Sequence, residues 1–218
     1  MITGESPIRS IVQSYDDWII RTYARIRFMI LRQPFLDEIG QYLPTVGRIL
    51  DVGCGFGLFS LYFAALEPQR RITGLDMNQK RIDHSRTSAG KLGLGNVQYH
   101  VRNALDWEGE HSFEAIYMLD LIHHLPERFV PEFLTRARKL LVPNGILIIK
   151  DVSTVPTWKR LFTLILDRLM VGFEPIRYWP PNELKSVLRR IGFDVKSHLM
   201  TDLLPYPHIL YVCRVPPE

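Results

Sequence analysis

The chain has 218 residues, 46% of them hydrophobic and 23% charged, which is enough apolar content to bury the core of one soluble domain. Its two cysteines, Cys54 and Cys213, cannot form a disulfide framework and lack partners at metal-ligand spacing, so no metal is expected. The formal net charge is only +4, and no basic run interleaved with aromatics appears, which argues against a nucleic-acid partner.

Residues 14–33 read as an amphipathic helix opened by Ser14-Tyr15-Asp16-Asp17 as a capping box. At about 100° per residue, Tyr15, Trp18, Ile19, Tyr23, Ile26, Met29 and Ile30 form one apolar stripe, with Arg21, Arg25 and Arg32 along its flank. Two readings stand. The helix packs its stripe on the core and leaves a solvated basic edge, or that edge meets an anionic substrate group or a membrane surface. Residues 1–45 are expected to be an N-terminal helical extension before a domain over 46–218.

Residues 49–57, Ile-Leu-Asp-Val-Gly-Cys-Gly-Phe-Gly, are an apolar strand ending on Asp51, followed by Gly53, Gly55 and Gly57 at alternate positions. An apolar helical pattern, Leu58 to Leu66, starts at once. Strand, glycine-rich turn and helix in that order bring backbone close to a nucleotide, because glycine permits the turn and has no Cβ to hold the ligand away. The spacing is not G-x-G-x-x-G, since Leu58 stands where the third glycine belongs, and no G-K-[ST] follows. Next, Arg71 to Asp76 reads as a second strand ending in a carboxylate suited to a ribose diol, with Asn78 placed to cap the following helix.

Further along, alternating strands and helices imply a mostly parallel sheet covered on both faces. Residues 153–181 form an insertion in which Trp158, Phe162, Ile165, Leu166 and Leu169 share a helical face, followed by Phe173, Ile176, Tyr178 and Trp179. Lys159, Arg160, Asp167 and Arg168 interrupt the apolar run, so it cannot span a membrane. It reads either as a lid rich in aromatics, with Trp158, Phe162 and Tyr178 as substrate contacts, or as residues packed on the sheet. With no signal-peptide pattern, the expected compartment is the cytoplasm, with peripheral membrane contact through the basic helix as an addition.

The two strand-end motifs resemble those of class I S-adenosylmethionine-dependent methyltransferases, and the likeness covers roughly residues 46 to 213. Asn96 to Ala104 is similar to the family's third strand and the turn beside the adenine. Phe113 to Pro126 is similar to the fourth strand and the loop facing the methyl group. Leu140 to Lys150 is similar to the helix, turn and fifth strand, with Gly145 at the tight turn, and Glu183 to Val195 to the helix entering the last two strands. The resemblance implies a three-layer α/β fold with a Rossmann-like, seven-stranded, mostly parallel sheet, and S-adenosylmethionine as cofactor. It implies that Gly53, Gly55 and Gly57 approach the methionine part, that Asp51 orders the loop and the amino group, and that Asp76 holds the ribose hydroxyls. Met77 would pack on the adenine, which the turn at Asn103 and Ala104 borders, and Leu119 would offer its carbonyl near the amino group. Asn103 departs from the aspartate often found there, though its amide oxygen can still accept from the adenine.

An oxygen nucleophile must lose a proton, and His123 and His124, just after the fourth strand, are the candidate bases. The alternative is a histidine that enters a helix and bonds to backbone. The expected reaction is methylation of a hydrophobic small molecule (lipid, acyl or aromatic), with or without an anionic group, on oxygen first and carbon second. Two other classes remain open at this point: a nicotinamide-dependent oxidoreductase, and a non-catalytic module that binds the cofactor or a membrane.

Overall fold

The computed structural model describes residues 7–107, 112–154, 177–200 and 207–217. Three helices come first, α1 (Pro7–Ser14), α2 (Trp18–Ile30) and α3 (Gln33–Gly40). There follow β1 (Gly47–Val52), α4 (Leu58–Leu66), β2 (Arg70–Asp76), α5 (Gln79–Lys91), β3 (Val97–Val101) and β4 (Phe113–Leu119). The chain continues through α6 (Val130–Leu140), β5 (Leu141–Val152), α7 (Pro181–Arg190), β6 (Asp194–Met200) and β7 (His208–Arg214). The sheet has seven strands in the order β3-β2-β1-β4-β5-β7-β6, as expected of the Rossmann-like class. The chain divides into two compact units, residues 1–109 with 113–115, and residues 110–112 with 116–218.

In the first unit β1 pairs parallel with β2, and β2 with β3. The last four residues of β1, Ile49 to Val52, are all buried, the continuous run required of a parallel strand covered on both faces. Helix α4 is buried from Leu58 through Ala64, so a sequence apolar all round becomes a helix enclosed along all but its last two residues. Asn78 caps α5 as expected, its side chain accepting from Arg81 N at 3.1 Å.

The N-terminal helix differs from its sequence reading in two respects. The chain breaks between Ser14 and Trp18, and Asp17 alone caps α2, accepting from Ile19 N at 2.7 Å, while the Ser14 hydroxyl bonds back to Ile11 O. More telling, the apolar stripe does not all face inward. Ile20, Ala24 and Phe28 are buried, whereas Trp18, Ile19, Ile26 and Met29 are 72%, 60%, 42% and 66% exposed. The helix has apolar residues on two faces, and the one with small Ala24 between Ile20 and Phe28 packs.

In the second unit β7 lies antiparallel to both β5 and β6. Strand β5 follows α6 without a separate turn. Asn144 takes the left-handed conformation at φ 62°, and a Cβ on Gly145 would stand 2.8 Å from Val142 O. The tight spot is therefore shared by two residues, not held by Gly145 alone. Trp158 and Phe162, with most of the insertion, lie outside the described residues. Among the described residues no helix is long and apolar enough to cross a membrane.

Candidate active site

The glycine-rich turn in the first unit uses left-handed backbone three times, at Gly53 (φ 76°), Gly55 (φ 56°) and Gly57 (φ 77°). Its floor is pinned by Gly53 N and Cys54 N, which both donate to Leu75 O at 2.8 and 3.0 Å. The glycines differ in what they make room for. A Cβ on Gly55 would meet nothing within 4 Å, so the backbone there borders open space. A Cβ on Gly57 would lie 2.6 Å from Tyr99 Oη and 3.0 Å from Ser85 Cβ. Gly57 is thus small for the protein's own packing, and Gly55 is the glycine that leaves room for a ligand. Asp51 is buried and accepts from the Ser60 hydroxyl at 2.8 Å, tying the end of β1 to the first turn of α4.

At the end of β2, Asp76 spans the turn. One oxygen accepts from Gly55 N at 3.0 Å and the other from Asn78 N at 2.9 Å, with Arg81 4.0 Å away. A carboxylate offers about four lone-pair sites, so two hydroxyl donors can still be accepted. Met77 beside it is 72% exposed, an apolar surface ready for a flat partner. Asn103 starts a short 3-10 turn over Ala104–Asp106, its amide oxygen accepting from Leu105 N at 3.1 Å. The resemblance gave that oxygen to an adenine; the structure shows it already capping this turn. Burial and the nearby charges of Asp51 and Asp76 push the Cys54 thiol well up, so the loop sulfur stays neutral.

Phe56, at the tip of the glycine turn, is held from several sides. The Tyr15 hydroxyl donates to its carbonyl at 2.8 Å, Tyr23 meets its ring edge-on at 5.4 Å, and the Arg81 guanidinium lies over it at 5.8 Å. The two tyrosines come from the N-terminal helical segment, which therefore fixes the turn.

In the second unit, β4 ends at the buried Leu119 and the chain turns through Asp120, whose φ is 60°. Asp120 N donates to Lys150 O at 2.8 Å, and the fully buried Lys150 ammonium reaches the Asp120 carboxylate. His123, 2% exposed, directs its Nδ1 at the Asp151 carboxylate, which also accepts from His123 N at 3.1 Å and Val152 N at 2.6 Å. The imidazole is fixed at backbone and side chain alike. The ring of His124, half-buried, stands 4.1 Å from that of His123, and Tyr178 comes within 5.6 Å on another side. Arg177 N donates to His123 O at 3.0 Å, and Arg177 forms ion pairs with Glu127 and Glu183, which anchors the segment carrying Tyr178. Asp120, His123 and Asp151 each place a ligand atom within 4.8 Å of the others. Lys150 already occupies the cation's place at Asp120, so the group fits two internal pairs better than a dication.

Asp151, Lys150, Ser60 and Tyr99 were not singled out in the sequence. One signal was present: Lys150-Asp151 puts two adjacent charges at the end of the apolar run Ile146 to Ile149, which a buried strand tolerates only when both are partnered. Nothing comparable marks Ser60 or Tyr99.

A family model described as a methyltransferase domain matches residues 23–198. A probable methyltransferase from Aspergillus luteorubrus is 27% identical over 181 residues, covering 73% of this chain and 62% of its own. An enzyme from Xanthomonas axonopodis pv. citri, named a ubiquinone biosynthesis O-methyltransferase, is 32% identical over 162 residues, covering 71% of this chain and 65% of its own. The chain thus spans a little under two thirds of the length of these relatives. A solved S-adenosylmethionine-dependent methyltransferase from Archaeoglobus fulgidus superposes with a TM-score of 0.71 at 16% identity, over 91% of this chain and all of that one, which speaks for the fold alone. The glycine turn with open space at Gly55, the strand-end carboxylate and the family match agree, and the chain belongs to the class I S-adenosylmethionine-dependent methyltransferases.

Proposed function

We propose that the enzyme methylates a hydroxyl oxygen on a hydrophobic small molecule, with His123 as the base that takes the hydroxyl proton. The observation that carries this reading is the buried His123–Asp151 pair. Asp151 accepts from Nδ1–H, which fixes the tautomer and leaves Nε2 as the basic nitrogen. It also stabilises the imidazolium that forms when the proton arrives. Tyr178 supplies an aromatic surface beside the imidazole. The oxygen acceptor is further supported by the Xanthomonas relative, which is named an O-methyltransferase.

The cofactor-holding roles go to Asp51, Gly53, Gly55, Gly57, Asp76 and Met77, with Asn103, Ala104 and Leu119 as flanking contacts. S-adenosylmethionine supplies a methyl group on a sulfonium: the carbon–sulfur bond breaks with its electron pair staying on sulfur, and an oxygen–carbon bond forms. Asp76 accepts the ribose hydroxyls with its remaining lone pairs, and Met77 covers one face of the base. The protein's further work is orientation and exclusion of water, and proximity of this kind can supply about 7–11 kcal/mol of the barrier.

The test is turnover of His123→Ala and Asp151→Asn with labelled methyl donor, on an acceptor found by fractionating cell extract. Each should lower kcat by about 100- to 10,000-fold while the cofactor dissociation constant stays put. His123→Ala should also lose the acid limb of the kcat/KM profile against pH. Unaltered turnover in His123→Ala would remove the base and with it this reading.

A further inference from the structure

We infer that the outer face of α2 docks the enzyme onto an anionic phospholipid surface. At about 100° per residue, Arg25, Trp18, Met29, Thr22, Ile26 and Ile19 fall in that order within an arc of roughly 120°. Of these, Trp18, Met29, Ile19 and Ile26 are 72%, 66%, 60% and 42% exposed, and Arg25 and Thr22 are exposed as well. Four large apolar side chains left in water on one helix are more than the scatter found on an ordinary surface.

The charge around this face selects the occupant. Arg25 stands on the edge of the arc and is exposed. Two other arginines of the helix are engaged on the protein itself: Arg21 donates to Tyr15 O at 2.7 Å, and Arg27 lies over the Phe59 ring at 5.5 Å. The carboxylates at the helix start are engaged too. Asp16 pairs with Lys91 at 2.6 Å, and Asp17 caps the helix through Ile19 N. What faces outward is therefore an apolar strip with a tryptophan, bordered by arginine, the composition of helices that lie in the plane of a membrane interface. Thirteen residues give a strip about 20 Å long, enough to sink Trp18 and Met29 together. Docking here does not depend on which atom the enzyme methylates.

The experiment is co-sedimentation of the whole chain with vesicles of phosphatidylcholine alone, or of equimolar phosphatidylcholine and phosphatidylglycerol. The wild type should bind the anionic vesicles and bind the neutral ones at least about tenfold more weakly. The double variant Trp18→Ser, Met29→Ser should lose about tenfold or more of that binding, and Arg25→Glu should lose binding at low salt. Both variants should keep the wild-type circular dichroism spectrum and cofactor affinity. If the double variant loses either, the single variant Met29→Ser replaces it. The inference is overturned if the wild type stays in the supernatant with both vesicle types, or if the variants sediment as it does. It is overturned equally if light scattering shows a dimer that the double variant dissociates, since a second copy would then own the strip.

Discussion

Asp76 already serves the architecture, and under the proposed function it would serve the ligand too. Its carboxylate receives Gly55 N and Asn78 N, so removing it loosens the turn as well as taking away the acceptor proposed for the ribose. Asp76→Ala should lose one or two charge-assisted hydrogen bonds, each about 1.5–3 kcal/mol, and raise the cofactor dissociation constant about 10- to 100-fold. Calorimetric titration reads this directly, and an unchanged constant would take Asp76 out of the site. The glycine turn and the strand-end carboxylates were legible because their signals are local: glycines at φ values few others tolerate, and acids where apolar runs stop. Asp151 was not legible as a partner of His123, because the pairing joins positions 28 apart and depends on where β4 and β5 end, which no local pattern records. At Asn103 the residue type and the turn were both read, but not that its amide oxygen caps that turn at Leu105 N.

Among the elements, α4 and β2 follow their sequence patterns closely, and α5 starts where its cap Asn78 was read. Helix α2 does not, because periodicity says that an apolar face exists and not which of two faces finds a neighbour. The same N-terminal segment does more than add length, for Tyr15 and Tyr23 hold the tip of the glycine turn at Phe56. Tyr15 is 1% exposed, so Tyr15→Phe would strand the Phe56 carbonyl without its donor. We expect a loss of about 1–2 kcal/mol in stability by denaturant unfolding, together with weaker cofactor binding. Unchanged binding would show that the turn holds its shape without the N-terminal helices.

For the molecule as a whole, the buried thiols and phenols set an alkaline limit. Burial raises Tyr15 and Tyr99 above their ordinary 10.0, and raises Cys54 and Cys213 above their ordinary 9.0. Neighbouring acids add to the effect at both cysteines. All four groups are protonated in folded and unfolded chains at neutral pH, so they leave stability unchanged there. Above about pH 9 for the cysteines and about pH 10 for the tyrosines, the unfolded chain releases these protons while the folded chain retains them, and each group then costs about 1.4 kcal/mol per pH unit. Tm should therefore hold level across neutral pH as far as these groups are concerned, then fall with increasing steepness from about pH 9, which thermal denaturation across a pH series will show. The sheet class was readable from the alternation of strands and helices, whereas the division into two compact units across β4 left no mark in composition.

Tyr99 has a consequence for how this protein can change. Its ring lies between two glycines, one at the helix entry and one within a strand: a Cβ on Gly57 would be 2.6 Å from its oxygen, and a Cβ on Gly74 2.6 Å from its Cδ1. Neither glycine can gain even a methyl while the phenol stays, and the phenol cannot shrink without opening a void. The three positions should therefore drift only as a set. Gly74→Ala alone should cost about 1–3 kcal/mol, and adding Tyr99→Leu should recover part of that loss, a non-additivity of about 0.5–3 kcal/mol in a thermodynamic cycle. Additive losses would mean that the strand shifts to admit the methyl and that the epistasis is absent.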